Sequence, residues 1–265
     1  MTFENVRLRY GDADDSLALN GLDMTIGKGQ FVAVVGPSGC GKSSLMKLAT
    51  GLLMPTSGSI VAEGKPVLEP LKIVGMAFQN PTLLPWRNLL SNIMLPLEIA
   101  QPHRSRLRAN RKMYEGLARQ LLETVGLKGF ENRHPWMMSG GMQQRANLCR
   151  SLIHEPELLM LDEPFGALDA FTREELWSVL QTVFMQRAFT CVLVTHDLRE
   201  AAFLADVVFV MSARPGKVVA THRVDLPRPR TITDTFDPAF IEIVSQIRRE
   251  IAHVWHGQTA SGSPQ

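Results

Sequence analysis

The stretch FVAVVGPSGCGKSSLMKLAT, residues 31–50, decides the fold. FVAVV at 31–35 is an unbroken apolar run rich in valine, as expected of a strand covered on both faces. It runs into GPSGCGKSS at 36–44, and LMKLAT continues with helical character. Strand, glycine-rich loop, Lys-Ser and helix is the context that the phosphate-binding pattern G-x-x-x-x-G-K-[ST] requires, with Gly36, Gly41, Lys42 and Ser43 at its fixed positions. Gly36, Gly39 and Gly41 let the backbone fold tightly and turn its N–H groups toward an anion. The start of the following helix adds unsatisfied N–H donors and a partial positive charge. Lys42 can reach β- and γ-phosphates, and the Ser43 hydroxyl can ligate Mg²⁺. Pro37, Ser38, Cys40 and Ser44 complete the loop. Lys42 and the helix start both favour a thiolate at Cys40, which is expected to be more reactive than Cys149 or Cys191.

Outward from this loop, FENVRLRY at 3–10 alternates as a strand does, LNGLDMTI at 19–26 gives a second, and GKG at 27–29 is a turn. Strands ahead of the loop suggest an antiparallel layer beside the main parallel sheet. Tyr10 reads either as an ordinary strand aromatic or as a stacking platform for an adenine ring. LMPTSGSI at 53–60 is turn-rich, and KIVGMAF at 72–78 is a buried strand ending at Gln79. QNPTLLPWRN leads into helical material to about residue 100. HRSRLRANRK at 103–112 reads as a solvated basic face, and MYEGLARQLLETVGL at 113–127 as an amphipathic helix closed by Gly126. SGGMQQRANLCRSLIHEP at 139–156 opens on Ser139, Gly140 and Gly141 and then becomes helical, a second potential anion site. ELLMLDEP at 157–164 is a buried strand ending in Asp162 and Glu163; FTCVLVTHD at 189–197 repeats the design and ends in His196. ADVVFVMS at 205–212 and KVVATHRV at 217–224 complete the strands. FIEIVSQIRREIAHVW at 240–255 is a terminal amphipathic helix, and HGQTASGSPQ reads as a disordered tail.

Polar residues at the carboxyl ends of parallel strands lie where α/β folds bind ligands. Asp162 can hold Mg²⁺ through water, and Glu163 can accept a proton from an attacking water as general base. Gln79 and His196 can position that water or sense a γ-phosphate. Each taken alone could equally be a loop glutamine or a satisfied strand-end histidine.

Composition narrows the classes. The chain has 265 residues, 45% of them hydrophobic, enough for a sizeable core. A formal net charge of +2 gives no argument for nucleic acid. Three widely spaced cysteines form neither a disulfide framework nor a zinc pattern, which suits a reducing compartment. The first residues, MTFENVRLRYGDADD, are charged and unlike a signal peptide. No apolar run approaches the ~18–20 residues that span a bilayer, so a soluble chain is expected, reaching a membrane only through another protein.

Over nearly the whole chain the motifs resemble those of ATP-binding cassette (ABC) ATPases. GPSGCGKS matches the family's Walker A, and LLMLDEP matches Walker B with its catalytic glutamate, Glu163. Gln79 matches the Q-loop, SGGMQQR the signature, ALD at 167–169 with Asp169 the D-loop, and His196 the switch histidine; Tyr10 stands where an adenine-stacking aromatic is expected. Met138 and Met142 replace the usual Leu and Gln of the signature, while Ser139, Gly140 and Gly141 remain. FQNPTLLPWRN, DEPFGALDAFTR, THDLREAAFLAD and MSARPGKV resemble more narrowly the ATPases of nitrate, sulfonate and taurine importers, a group that also carries bicarbonate and pyrimidine precursors.

The resemblance implies an α/β fold: a P-loop NTPase (RecA-like) parallel sheet core with an antiparallel β layer and an inserted α-helical subdomain. It places the nucleotide-binding core at 1–88 and 157–225, a helical signature subdomain at 89–156, and a terminal helix and tail at 226–265. It implies ATP and Mg²⁺ as cofactors, with Ser43, Gln79 and Asp162 at the metal. It implies a homodimer with two ATPs sandwiched head to tail, the P-loop of one copy facing Ser139 and Gly141 of the other. The partners implied are transmembrane permease subunits at the cytoplasmic face of the inner membrane and, indirectly, a solute-binding protein, with docking around 79–86 and the helical region. An ABC ATPase acting on nucleic acid is the competing class. Such proteins carry long coiled coils or zinc cysteines between P-loop and signature, and here the insertion is compact, without sustained heptads or Cys pairs. A GTPase would need an Asn-Lys-x-Asp guanine-reading motif, which is absent; importer-type phrases and a separate soluble chain argue against an exporter.

Overall fold

The computed structural model describes residues 1–11, 17–166, 168–187 and 189–259. Ala167, the first residue of the ALD phrase, and residues 260–265 of the expected tail lie outside the described residues. In chain order the elements are β1 (Thr2–Arg9), β2 (Leu17–Thr25), β3 (Phe31–Val35), α1 (Lys42–Ala49), β4 (Ser57–Ala62), β5 (Lys65–Pro66), β6 (Val74–Ala77), α2 (Leu89–Ile99), α3 (His103–Arg106), α4 (Arg111–Thr124), α5 (Gly140–Leu152), β7 (Leu158–Asp162), α6 (Ala170–Gln186), β8 (Thr190–Thr195), α7 (Leu198–Leu204), β9 (Val207–Met211), β10 (Val218–Arg223) and α8 (Pro238–Thr259). Two compact units result: Met1–Leu71 with the chain from Thr190 onward, and Lys72–Phe189.

The first unit holds an antiparallel sheet in the order β2-β1-β4-β5. β1 buries Phe3, Val6 and Leu8 and exposes Glu4, Arg7 and Arg9. A register shift between Phe3 and Val6, where Asn5 has φ 46°, explains how two residues three apart face the same side. A second run of strands goes β10-β9-β3-β8. β3 pairs in parallel with both β8 and β9, and all five residues of β3 and of β9 are buried, which accounts for their unbroken apolar sequences. α7 packs on β3, and α8 packs on α7 and β9.

The carboxyl end of α7 is closed by a side chain from far along the sequence. The buried Arg230 Nη1 donates to the carbonyls of Ala202, Phe203 and Ala205 at 3.0, 2.9 and 2.8 Å. A cation there satisfies carbonyls that the helix leaves unbonded and complements its dipole. Desolvation pulls the Arg230 pKa down to about 10. Beside it, Asp206 takes the Phe31 N–H at 2.8 Å and the Arg228 guanidinium at 2.7 Å.

The second unit pairs β6 with β7 in parallel, Ala77 opposite Leu161. α2 packs on α4 and α5, and α5 on β6. The irregular chain ahead of α2 is wired by the fully buried Asn92. Its Oδ1 accepts from Leu84 N at 2.6 Å, and its Nδ2 donates to the carbonyls of Leu84, Arg87 and Asn88 at 3.0–3.1 Å.

Several sequence expectations are corrected here. The strand read at 72–78 stops at Ala77, so Gln79 lies two residues past it. The turn-rich 53–60 contains most of β4, whose first three residues are exposed and carry no apolar alternation. Helices α6 and α7 were not anticipated. α8 continues to Thr259, four residues into the stretch expected to be tail.

Candidate nucleotide-binding site

In the first unit the phosphate loop leaves β3 after Val35. Val35 is paired with Thr195 of β8 and Val210 of β9. His196 follows Thr195 directly and is exposed, so it leaves the sheet at the same level as Gly36. α1 then begins at Lys42 behind Gly41, whose φ of 101° belongs to glycine. A Cβ on Gly41 would stand 2.7 Å from Leu19 Cδ2. No side chain caps α1 and no acidic residue occupies its first turn, so its leading N–H groups are offered to an anion. The buried Lys42 folds back over the loop, with Nζ donating to the carbonyls of Gly36 at 2.8 Å and Pro37 at 2.9 Å. An ammonium carries three donors, and the third makes only a long 4.0 Å contact with Cys40 Sγ, the weakest of the three and the easiest to give up to a phosphate oxygen. The Tyr10 hydroxyl and Ser44 Oγ lie 3.1 Å apart, which brings the half-exposed Tyr10 ring to the first turn of α1.

The expectation of a favoured thiolate at Cys40 is overturned. Only 1% of Cys40 is exposed, and burial pushes its thiol above the ordinary value. The Lys42 ammonium, 4.0 Å from Sγ, offsets only part of that rise. The charges near a cysteine were legible in the sequence; its burial was not. The ranking of the three survives, because burial pushes Cys149 to about 12 and Cys191 well above its ordinary value. N-ethylmaleimide should therefore modify Cys40 more slowly than free cysteine at pH 7, yet before Cys149 or Cys191. The rate should rise about tenfold per pH unit below the thiol pKa, since the thiolate is the nucleophile, and bound nucleotide should slow it. Peptide mass mapping after brief labelling reads all three; labelling at the free-cysteine rate at pH 7 would contradict the burial account.

In the second unit the Ala77–Leu161 pairing sets Gln79 and Glu163 at the same level beyond β6 and β7, with Asp162 the last residue of β7. A Cβ on Gly166 would stand 3.5 Å from Gln79 Nε2 and 4.0 Å from Glu163 Oε2, so both side-chain ends surround one point of the backbone. Glu163 has φ 44°, a conformation uncommon for a residue with a side chain and found preferentially at functional sites. The segment after Gln79 is gripped by α5. Gln144 and Asn147 both donate to the Phe78 carbonyl, at 3.3 and 3.2 Å, and Arg150 holds the Thr82 carbonyl and hydroxyl, each at 2.7 Å. These clamps escaped sequence reading; spacings of three along one helix are their only local signal.

The Ser139-Gly-Gly opening is a second helix N-terminus. Ser139 is the N-cap of α5, its Oγ accepting from Met142 N at 3.3 Å, and Gly140 and Gly141 are the first helical residues. They border a cavity of ≈ 520 Å³ whose walls include Leu168, Asp169 and Arg145. Asp169 caps α6, and the Thr172 N–H at 3.0 Å holds its carboxyl below the usual carboxylate range. Arg145 pairs with Glu175 and donates to the Val125 carbonyl at 3.0 Å.

A capless glycine-rich loop between a buried parallel strand and a helix, with a lysine folded over it, defines a P-loop nucleotide-binding protein. The ABC transporter family model matches residues 19–166. The chain is 41% identical over 232 residues to the aliphatic sulfonates import ATP-binding protein SsuB of Bacillus licheniformis, covering 88% of this chain and 86% of that protein. It is 41% identical over 215 residues to the taurine import ATP-binding protein TauB of Yersinia pestis, covering 81% and 82%. A dimeric ATP-binding cassette in a post-hydrolysis state bound to ADP and Pi superposes with a TM-score of 0.71 at 27% identity, over 85% of this chain and 99% of that one. The chain belongs to the ABC transporter family, and within it is an ATP-binding subunit that hydrolyses ATP.

Proposed function

We propose that this chain powers an importer of a small anionic or organic solute such as nitrate, sulfonate or taurine, the last two being the solutes for which its relatives are named. It would act as a homodimer on the cytoplasmic face of the inner membrane, docked on permease subunits that a solute-binding protein loads. No helix among the described residues is long and apolar enough to cross a membrane, which fits a subunit borrowing its membrane attachment. The observation that carries the reading is the pair of helix N-termini, at Lys42 and at Gly140, each opened by glycines and free of acid in its first turn. Two anion sites on one chain suit a head-to-tail dimer, in which each γ-phosphate is held by Lys42 and the α1 N–H groups of one copy and by Ser139 and Gly141 of the other. Hydrolysis then removes the bridging charge and lets the dimer open.

For the chemistry, Glu163 takes the proton of the attacking water, and Gln79 and His196 orient that water against the γ-phosphate. Tyr10 stacks on the adenine. No three His, Cys, Asp or Glu side chains cluster as a metal cage among the described residues. The hydroxyl of Ser43, the amide oxygen of Gln79 and the carboxylate of Asp162 are hard oxygen donors, the set with which proteins hold Mg²⁺ when phosphates and waters complete the shell. Bound there, Mg²⁺ would neutralise developing charge on the phosphoryl group.

Ser139→Arg tests the sandwich. Ser139 is exposed, so arginine enters without burial, at the cost of a cap worth about 1 kcal/mol. The variant should bind ATP as a monomer yet fail to dimerise, measured by light scattering; dimerisation equal to wild type would sink the sandwich. The docking segment is tested at Trp86, which is 71% exposed on the loop that Asn92 wires. Trp86→Glu should keep its melting temperature and the ATPase of the isolated chain while losing permease association and transport. Undiminished transport would put the docking site elsewhere.

A further inference from the structure

We propose that the corner at residues 99–113 is a contact surface for an anionic lipid bilayer. The inference rests on the reading that the chain works beside a membrane, and it adds a direct lipid contact to the permease attachment. The corner is a shaped part of the second unit. Arg104 N donates to the Ala100 carbonyl at 2.8 Å and Asn110 N to the Arg106 carbonyl at 3.0 Å. His103 Nδ1 and the Tyr114 hydroxyl lie 3.1 Å apart, with their rings edge to face, which ties α3 to α4. On this frame Arg104, Arg106, Arg108, Arg111 and Lys112 are all exposed, and the stretch 103–112 contains no Asp or Glu.

The carboxylates nearest in sequence are already engaged. Glu98 is held by Arg87 at 2.8 and 2.9 Å, and Glu115 by Arg111 and Arg119. Arg104, Arg106, Arg108 and Lys112 have no ion pair among the described residues, so their charge faces outward uncompensated in a chain whose net charge is only +2. Two large apolar side chains bound the cationic stretch, Ile99 at 67% and Met113 at 58% exposure. Cations flanked by exposed apolar side chains match a headgroup layer, where anionic phosphates meet the cations and the apolar groups enter the acyl boundary. A cationic surface that bound only soluble polyanions would have no use for Ile99 and Met113.

The test uses the purified full chain and vesicle flotation, with phosphatidylcholine vesicles alone or containing anionic phosphatidylglycerol. A basic side chain near an anionic surface strengthens binding about fivefold. The wild type should therefore float with anionic vesicles and not with neutral ones, and Arg104→Glu/Arg106→Glu/Arg108→Glu/Lys112→Glu should bind them at least about 50-fold more weakly. Raising salt to about 0.5 M should release the wild type, because screening shortens to a few ångströms. ATPase activity and melting temperature of the variant should match wild type; if the reversals impair folding, the fourfold Gln variant, which only neutralises, should still lose at least about tenfold. Equal partitioning of wild type and variants, or no preference of the wild type for anionic vesicles, overturns the proposal. So does retention of the wild type on duplex DNA without vesicle binding, which would assign the corner to nucleic acid. Normal ATPase and transport without lipid binding would leave the importer reading standing; lipid binding by a chain that drives no transport would do the reverse.

Discussion

Glu163→Gln is expected to lower ATP turnover at least about 10²-fold while leaving nucleotide affinity near wild type. The substitution keeps the volume of the side chain and removes only its capacity to take a proton. It leaves β7 and Asp162 in place, because Glu163 follows the strand and its own N–H and carbonyl are unchanged. A loss of 10² in rate is about 2.7 kcal/mol of transition-state stabilisation, the size of effect that a positioned base supplies. Since ground-state binding is not touched, kcat should fall without a rise in KM. On the proposed sandwich the variant should also accumulate as an ATP-bound dimer, because a γ-phosphate bridging the two copies would no longer be cleaved. Single-turnover hydrolysis and gel filtration with ATP read the two consequences separately. Hydrolysis at a near wild-type rate would remove Glu163 from the proton path.

Lys42→Ala should act differently, weakening binding as well as turnover. In the proposed site Lys42 meets the phosphates in the ground state, and a charge-assisted hydrogen bond contributes about 1.5–3 kcal/mol, a factor of roughly 10–150 in ATP affinity. A second effect comes from the loop, where Nζ bonds the carbonyls of Gly36 and Pro37. Without the ammonium those carbonyls lose their donor, and the loop is less well arranged for an anion. Equilibrium titration with a fluorescent ATP analogue should show the weaker binding directly. ATP affinity equal to wild type, with turnover alone reduced, would confine Lys42 to the transition state.

The loop and the strands around it were legible in the sequence because their signals are local. A fixed pattern of glycines and lysine, between an all-buried strand and a helix, is written in consecutive residues, and so are the strand-end positions of Asp162 and His196. The missed features depend on what lies far away in sequence. Arg230 closes α7 from a position 25 residues beyond Ala205, and nothing in LPRPR announces it. Asn92 is indistinguishable from any helical asparagine until the loop it bonds is known to pass over it. α6 buries Leu176, Trp177, Leu180 and Val183 at helical spacing, but Phe171, 84% exposed, and Met185, 50% exposed, blur the stripe. At Cys40 the sequence displayed two charges that favour the thiolate, while the desolvation that outweighs them comes from packing, including the loop at Gly216, where a Cβ would stand 2.0 Å from the Cys40 carbonyl.

The most direct measurement of the central claim, that each ATP is held by the phosphate loop of one copy and the signature of another, mixes two inactive variants. Lys42→Ala lacks a working loop and Ser139→Arg lacks a working signature. In a mixed dimer one composite site combines both defects, and the other combines the intact loop of the Ser139→Arg copy with the intact signature of the Lys42→Ala copy. Mixing the two proteins at equal concentration should therefore restore ATP hydrolysis well above the level of either alone, rising with protein concentration. If loop and signature served the same ATP within one copy, no mixture would contain an intact site. Activity that stays at the level of the separate variants at every ratio would contradict the account.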